Sequence, residues 1–367
     1  MRLGLASGNT SLIVCSSKRD MFEILTDRQE KILGLVVRTY VETGQPVSSK
    51  GLVEQYDLDV SSATVRHELA ALDEMGYLVQ LHTSAGRIPT EVGYRYFVQK
   101  LLGEFRLPIH EEQMFRHQFH QARLDLDQWM KLAAAILART SLGASFVTAP
   151  RPRSNRFKHL QLISTQGRLV LMILVLYGGE VKQQMLTLAE PLSQARLSAA
   201  ADRMNLLLAD ATYDEAIYRL NTGHLDELES DVARLTLEAL RRSDTRTITE
   251  IYRDGLMNIV EDAGTRQAVR VLEERTLLAN VLAETQTSPG GVQVVIGGDG
   301  RWEERKDCSI SLSRYGVADQ FSGTVAVIGP TRMSYGRNVA AVQYVANLMS
   351  GFVYDYYLED PDRKESV

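Results

Sequence analysis

Apolar residues recur three and four apart through "LTDRQEKILGLVVRTYVETG" (residues 25–44), which puts Ile32, Leu33, Val36 and Tyr40 on one helical face. Thr26 and Gln29 stand at capping-box spacing ahead of that stripe, and Gly44 before Pro46 ends it, so both ends of a helix are marked. In "VSSKGLVEQYDLDVSSATVRHELAALDEMGYL" Ser48 or Ser49 caps a short helix ending near Tyr56, and Ser61 or Ser62 caps a longer one running to Met75 before Gly76. Val65, Leu69 and Leu72 of the longer helix lie at i, i+4 and i+7 and face a core. The opposite face then holds Ala63, His67, Ala70 and Glu74, flanked by Thr64 and Arg66. Residues 77–82 read as a strand and 83–86 as a polar turn; Tyr94, Phe97, Val98 and Leu101 form the stripe of a further helix capped by Thr90. Helix, helix, helix, hairpin, helix is a winged helix-turn-helix order.

The pattern changes downstream. Residues 104–150 read as largely helical, and the basic loop "RPRSNRFKH" follows. "HLQLISTQGRLVLMILVLYGGEVKQQML" predicts three strands joined at Gln166-Gly167 and Gly178-Gly179, and "SQARLSAAADRMNLLLAD" returns to helix. Residues 226–284 are helix-rich, with the positions Leu225, Leu228, Val232 and Leu235 three and four apart, and again Val271, Arg275, Leu278 and Leu282. Strands resume at "GVQVVIGG", "DCSISLSRYGV" and "SGTVAVIGP", and a helix over 336–357 precedes a charged tail. The expectation is an α/β domain interrupted by a helical block and preceded by the winged unit.

Charge narrows the function classes. The net charge is -5, and the helical block alone holds thirteen Asp and Glu against eight Lys and Arg, so the whole chain is no general binder of polyanions. Any nucleic-acid contact must be local. No apolar run reaches the roughly 18 residues needed to span a bilayer, and the two cysteines, Cys15 and Cys308, form neither a disulfide framework nor a metal knuckle, which fits a cytoplasmic protein. The first 24 residues are expected to be a disordered extension, or to precede a folded chain that begins near Met21.

Local chemistry then points to DNA. Ser48, Ser49 and Lys50 open the second helix and Ser61, Ser62 and Thr64 the third; hydroxyls and N–H groups at helix N-termini suit phosphate contacts. Arg66 and His67 are candidates for base edges, with an ion pair to Asp73 as the other reading of Arg66. His82, Thr83, Ser84 and Arg87 form an acid-free hairpin tip that can lie on the backbone or in the minor groove. His117 and His120 share a helical face below His110, but without a third ligand at fixed spacing they read as a solvated face. "IGGDG" lacks a dinucleotide or Walker pattern and reads as a hairpin turn; there is no nucleophile elbow and no H-E-x-x-H, so neither an enzyme, a metal nor a cofactor is expected. Arg332, Tyr315 and Tyr335 lie near strand ends, where small ligands bind, which leaves a ligand-responsive repressor as the alternative function.

The block "VETGQPVSSKGLVEQYDLDVSSATVRHELAALDEMGYLVQLHTSAGRIPTEVGYRYFV" closely resembles the N-terminal domain of the HrcA family of bacterial heat-inducible transcription repressors, and "VIGPTRMSYGRNVAAVQYV" resembles its closing motif. His67-Glu68 stands where the family usually has Asn-Asp. The resemblance implies an α+β multidomain fold: an extension over 1–24, a winged helix domain over 25–103, a GAF-like domain over 104–225 and 291–357, an inserted helix-rich dimerising domain over 226–290, and a tail over 358–367. It implies a homodimer, with Leu228, Val232, Leu235, Val271, Leu278 and Leu282 as dimerising residues. The homodimer would bind the inverted repeat CIRCE in double-stranded DNA and repress operons such as groESL and dnaK, and the chaperonin GroEL would maintain its activity.

Overall fold

The computed structural model describes residues 12–15, 22–82, 86–122, 125–152, 155–177, 180–245, 250–259, 265–274, 278, 281–282, 287, 290–297, 307–317 and 320–358. These form two compact units. One holds the described residues up to Pro150, Glu250–Val317 and those from Gly323 onward; the other holds Arg151–Thr249 and the short stretch 318–322.

The first unit opens with strand β1 (Leu12–Cys15), inside a segment expected to be disordered. Its residues LIVC are β-formers, and the strand it pairs with lies far along the chain. Helix α1 (Asp27–Thr43) starts at the Thr26/Gln29 capping box and stops at Gly44, which has φ +68°. Helices α2 (Ser49–Tyr56) and α3 (Ser62–Glu74) follow. Ile32, Leu33 and Val36 of the predicted α1 stripe are buried, together with Val37, while Tyr40 is half-buried; Leu52 of α2 and Val65, Leu69 and Leu72 of α3 are buried as well. Strands β2 (Leu78–Gln80) and β3 (Arg87–Pro89) make a short antiparallel ribbon. Helix α4 (Glu91–Tyr96) continues as a π-turn over Phe97–Leu101. Helices α5 (Ile109–Gln121) and α6 (Leu126–Ser141) lead into strand β4 (Ala144–Thr148).

The second unit contains β5 (Arg151–Pro152) and an antiparallel meander of β6 (Phe157–Gln166), β7 (Leu169–Leu176) and β8 (Val181–Thr187). Helices α7 (Gln194–Leu208), α8 (Tyr213–Thr222) and α9 (Glu227–Thr245) complete it. Leu160, Leu162, Met172 and Leu174 share a core with Leu197 and Met204 of α7 and Val232 of α9. Asn205 fastens α7 to the sheet by accepting from Leu160 N–H (2.7 Å) and donating to Leu160 C=O (3.0 Å). Among the described residues the three predicted strands pair only with each other, and the helices that follow bury the apolar face they share.

Back in the first unit come β9 (Ile251–Asp254), α10 (Thr265–Glu273), β10 (Val292–Ile296), β11 (Cys308–Val317), β12 (Phe321–Pro330) and α11 (Tyr335–Leu358). The strands join β1 and β4 in the order β1-β10-β11-β12-β4-β9, with β1 parallel to β10. One sheet face shares a core with Val271 and Leu272 of α10. Helices α6 and α11 also pack on the sheet, and Arg337 of α11 donates to Thr140 C=O and to Glu111, both at 2.9 Å. Among the described residues no helix is long and apolar enough to cross a membrane.

Two glycines of the N-terminal helices respond oppositely to a methyl group. A Cβ on Gly93 of α4 would stand 2.2 Å from the Tyr77 carbonyl oxygen, whereas one on Gly34 of α1 would meet only Leu101 Cδ1 at 3.8 Å. Gly93→Ala is expected to destabilise the first unit by about 1–3 kcal/mol in denaturant unfolding, and Gly34→Ala to stabilise it by about 0.5–1 kcal/mol.

Candidate nucleic-acid interface

Helix α3 presents a definite face because its other face is spent on the core. Ser61 caps it, accepting the Thr64 N–H at 3.1 Å while its hydroxyl shares a hydrogen bond with the Thr64 hydroxyl at 2.9 Å. With Val65, Leu69 and Leu72 buried, Ser62, Arg66 and His67 are exposed on the outward side, Ser62 and Arg66 one turn apart. Among the described residues Arg66 has no ion-pair partner, whereas Glu68 pairs with Arg28 of α1 (3.5 Å). The first turns of α2 and α3 hold no acidic residue, in contrast to α1, α4, α5, α6, α8 and α9. The electropositive ends of these two helices are therefore uncompensated, which suits an external anion.

At the start of α2 the Ser48 hydroxyl accepts the Gly51 N–H at 3.0 Å and remains exposed. Ser49 is only 8% exposed, so its hydroxyl is not available as the phosphate contact that its position suggested. Lys50 is exposed and reaches Glu54 loosely, at 3.7 Å.

The ribbon differs from expectation at Arg87. The register Gln80↔Arg87 makes Arg87 the last paired residue at the loop end of the ribbon, and its backbone also bridges to Val47 through two 2.9 Å hydrogen bonds. Its side chain is 14% exposed and donates from Nε to Asp73 Oδ2 of α3 at 3.0 Å. Asp73, the alternative partner of Arg66, is thus taken by Arg87, which ties the ribbon to α3 instead of forming its tip. Sequence spacing could not show this, since the contact joins a strand start to a helix end across the fold. His82 is exposed, and Thr83 and Ser84 lie outside the described residues.

The expected dimerising residues are also internal. Leu228, Val232 and Leu235 are buried within the second unit; Val271 and Leu278 are buried against the sheet of the first, with Leu282 packed beside them. Their helical spacing recorded those cores. The apolar surface left open is the outer face of the β6–β8 sheet, where Val181 is 53% and Met185 50% exposed. The signal for it was the unbroken run "LVLMILVL" in β7, which is apolar on both faces although α7–α9 cover one. Among the described residues no group of His, Cys, Asp or Glu is arranged to hold a metal ion; His117 contacts Gln121 (2.9 Å), and His120 lies edge-on to Phe352.

Residues 127–339 match the family described as HrcA protein C terminal domain. Relatives named heat-inducible transcription repressor HrcA occur in Roseiflexus castenholzii, 43% identical over 91% of this chain and 96% of the relative, and in Chloroflexus aurantiacus, 41% identical over 91% and 95%. The relative of the same name in Thermomicrobium roseum is 38% identical over 89% and 94%. A crystal structure described as a hypothetical protein at 2.2 Å resolution has a similar fold over 90% of this chain and 98% of its own, with a TM-score of 0.54 and 23% identity. With identity of this level sustained along almost the whole length, the chain belongs to the HrcA family of heat-inducible transcription repressors, which are not enzymes.

Proposed function

We propose that this chain represses heat-inducible chaperone operons as a cytoplasmic homodimer bound to a CIRCE-type inverted repeat, with GroEL maintaining its activity. Residues 26–101 act as the winged helix-turn-helix, the sheet of the first unit as the GAF-like domain, and the second unit as the inserted dimerising domain. The observation that carries this reading is the outward face of α3, acid-free at its capped end and bearing an exposed Arg66 without an ion-pair partner among the described residues. Its N-terminal end enters the major groove, where Arg66 and His67 meet base edges and Ser61, Ser62 and Thr64 line the phosphates. Ser48, the Ser49 backbone N–H and Lys50 hold the neighbouring backbone, and His82, with Thr83 and Ser84 of the sequence that follows it, supplies the wing contact. Arg87 acts indirectly, by fixing the ribbon on α3.

An inverted repeat requires two copies related by a two-fold axis. The outer face of the β6–β8 sheet suits a second copy because it complements itself. Across the paired strands it presents the rows Ile163–Leu171–Met185, Gln161–Ile173–Gln183 and His159–Val175–Val181, with no Asp, Glu, Lys or Arg. Three strands over the seven paired residues of β7 and β8 give a flat footprint of roughly 350 Å², as large as the apolar patches that mark interaction surfaces.

Arg66→Ala should relax discrimination at one operator position by about 1–3 kcal/mol, while Lys50→Ala should weaken all DNA alike and lower the salt slope by about 1; titrations at several salt concentrations separate the two. Arg87→Ala and Asp73→Asn should each cost about 1 kcal/mol of stability and be non-additive in a double-mutant cycle. Ile173→Lys should convert the dimer to folded monomers in sedimentation; a variant that sediments as the wild-type dimer would rule out this face.

A further inference from the structure

The closing motif "PTRMSYGRN" contacts the N-terminal helices directly. Gly44, just past the end of α1, has φ +68°, and a Cβ there would stand 2.5 Å from Arg332 Nη1 and 3.2 Å from its Cζ, so the guanidinium lies against the glycine. α1 has no basic residue in its last turn, and Arg332 brings a cation to that negative helix end from the other end of the chain. Close by, the rings of Tyr94 of α4 and Tyr335 of α11 are 5.8 Å apart. The Tyr335 hydroxyl donates to Thr331 C=O at 2.7 Å and shares a 2.9 Å hydrogen bond with Ser309 of β11, which fixes its ring to the sheet. Burial pushes the Tyr94 phenol well above its ordinary range, and the Arg332 guanidinium acts in the opposite direction.

We propose that Arg332 and Tyr335 form a clasp that sets the orientation of the DNA-reading helices on the C-terminal sheet, and thereby the half-site separation that the dimer accepts; this rests on α3 being the recognition helix. The covalent link from α4 to α5, residues 102–108, contains neither helix nor strand, and the chain from β1 enters α1 at the end opposite Gly44. Neither connection holds the C-terminal end of α1. The clasp does, and α1 packs directly on α3. The Tyr94 hydroxyl is buried without a hydrogen-bond partner among the described residues, which costs free energy at the tyrosine half of the clasp. Arg332 and Tyr335 are positioning residues that touch no DNA.

The test uses the purified full-length protein, a single half-site duplex, the inverted repeat of a chaperone promoter, and repeats whose spacer is changed by about two base pairs. Wild type should favour the natural spacer by at least about tenfold. Arg332→Ala, and independently Gly44→Ala, which pushes the guanidinium away from the opposite side, should reduce that preference to within about threefold while half-site affinity changes by less than about twofold. Arg332→Lys retains the cation and should keep most of the preference. If the folded variants, judged by near-UV circular dichroism, retain the full wild-type preference, the clasp does not set the spacing. If wild type fails to bind even the half-site, the recognition-helix reading falls and the clasp falls with it.

Discussion

Burying Val65, Leu69 and Leu72 beneath α1 and α2 leaves helix α3 a single way to face. Rolling it by half a turn would return three aliphatic side chains to water at a cost on the order of 5 kcal/mol, comparable to the stability of a whole small domain. The outward positions of Ser62, Arg66 and His67 follow from that burial. So does the position of Asp73, which stands where the ribbon can reach it through Arg87. An apolar stripe that touches no DNA thus decides which polar groups are presented and how the ribbon is held beside them.

The charges on this surface follow a local logic that the net charge conceals. Three acids of the helical segment are engaged by cations: Glu54 with Lys50, Glu68 with Arg28 and Asp73 with Arg87. Arg66 and the bare ends of α2 and α3 are left over. At physiological salt, exposed charges farther off than about 8 Å are largely screened, so a chain that is acidic overall can keep a small region attractive to phosphate.

Legibility from sequence followed the range of the interactions. The Thr26/Gln29 box, the Ser48, Ser61 and Thr90 caps and the inward stripes of α1 and α3 are set by neighbours within a turn or two, and they appear where spacing places them. What depended on distant partners was hidden. The Arg87–Asp73 pair reversed the role of an arginine that looked exposed, and Ser49 turned inward. Val232 and Val271 carry the same helical spacing but belong to two different cores, which periodicity alone cannot tell apart. The β6–β8 strands were recognised individually, but whether they join β10–β12 in one sheet is decided by the helices that cover them.

Strand β1 raises a matter of timing. Its residues pair with β10, so that Leu12 lies beside Val292, and β4 pairs with β12 across a shorter but still long stretch of chain. At about 5–20 residues per second on the ribosome, the first strand waits on the order of tens of seconds for its neighbour to be made. Throughout that interval the helices of the N-terminal segment can be complete while the sheet has no closed edge. Pairings this remote fold slowly once the chain is released, so new molecules spend an extended period with strand edges open to other chains.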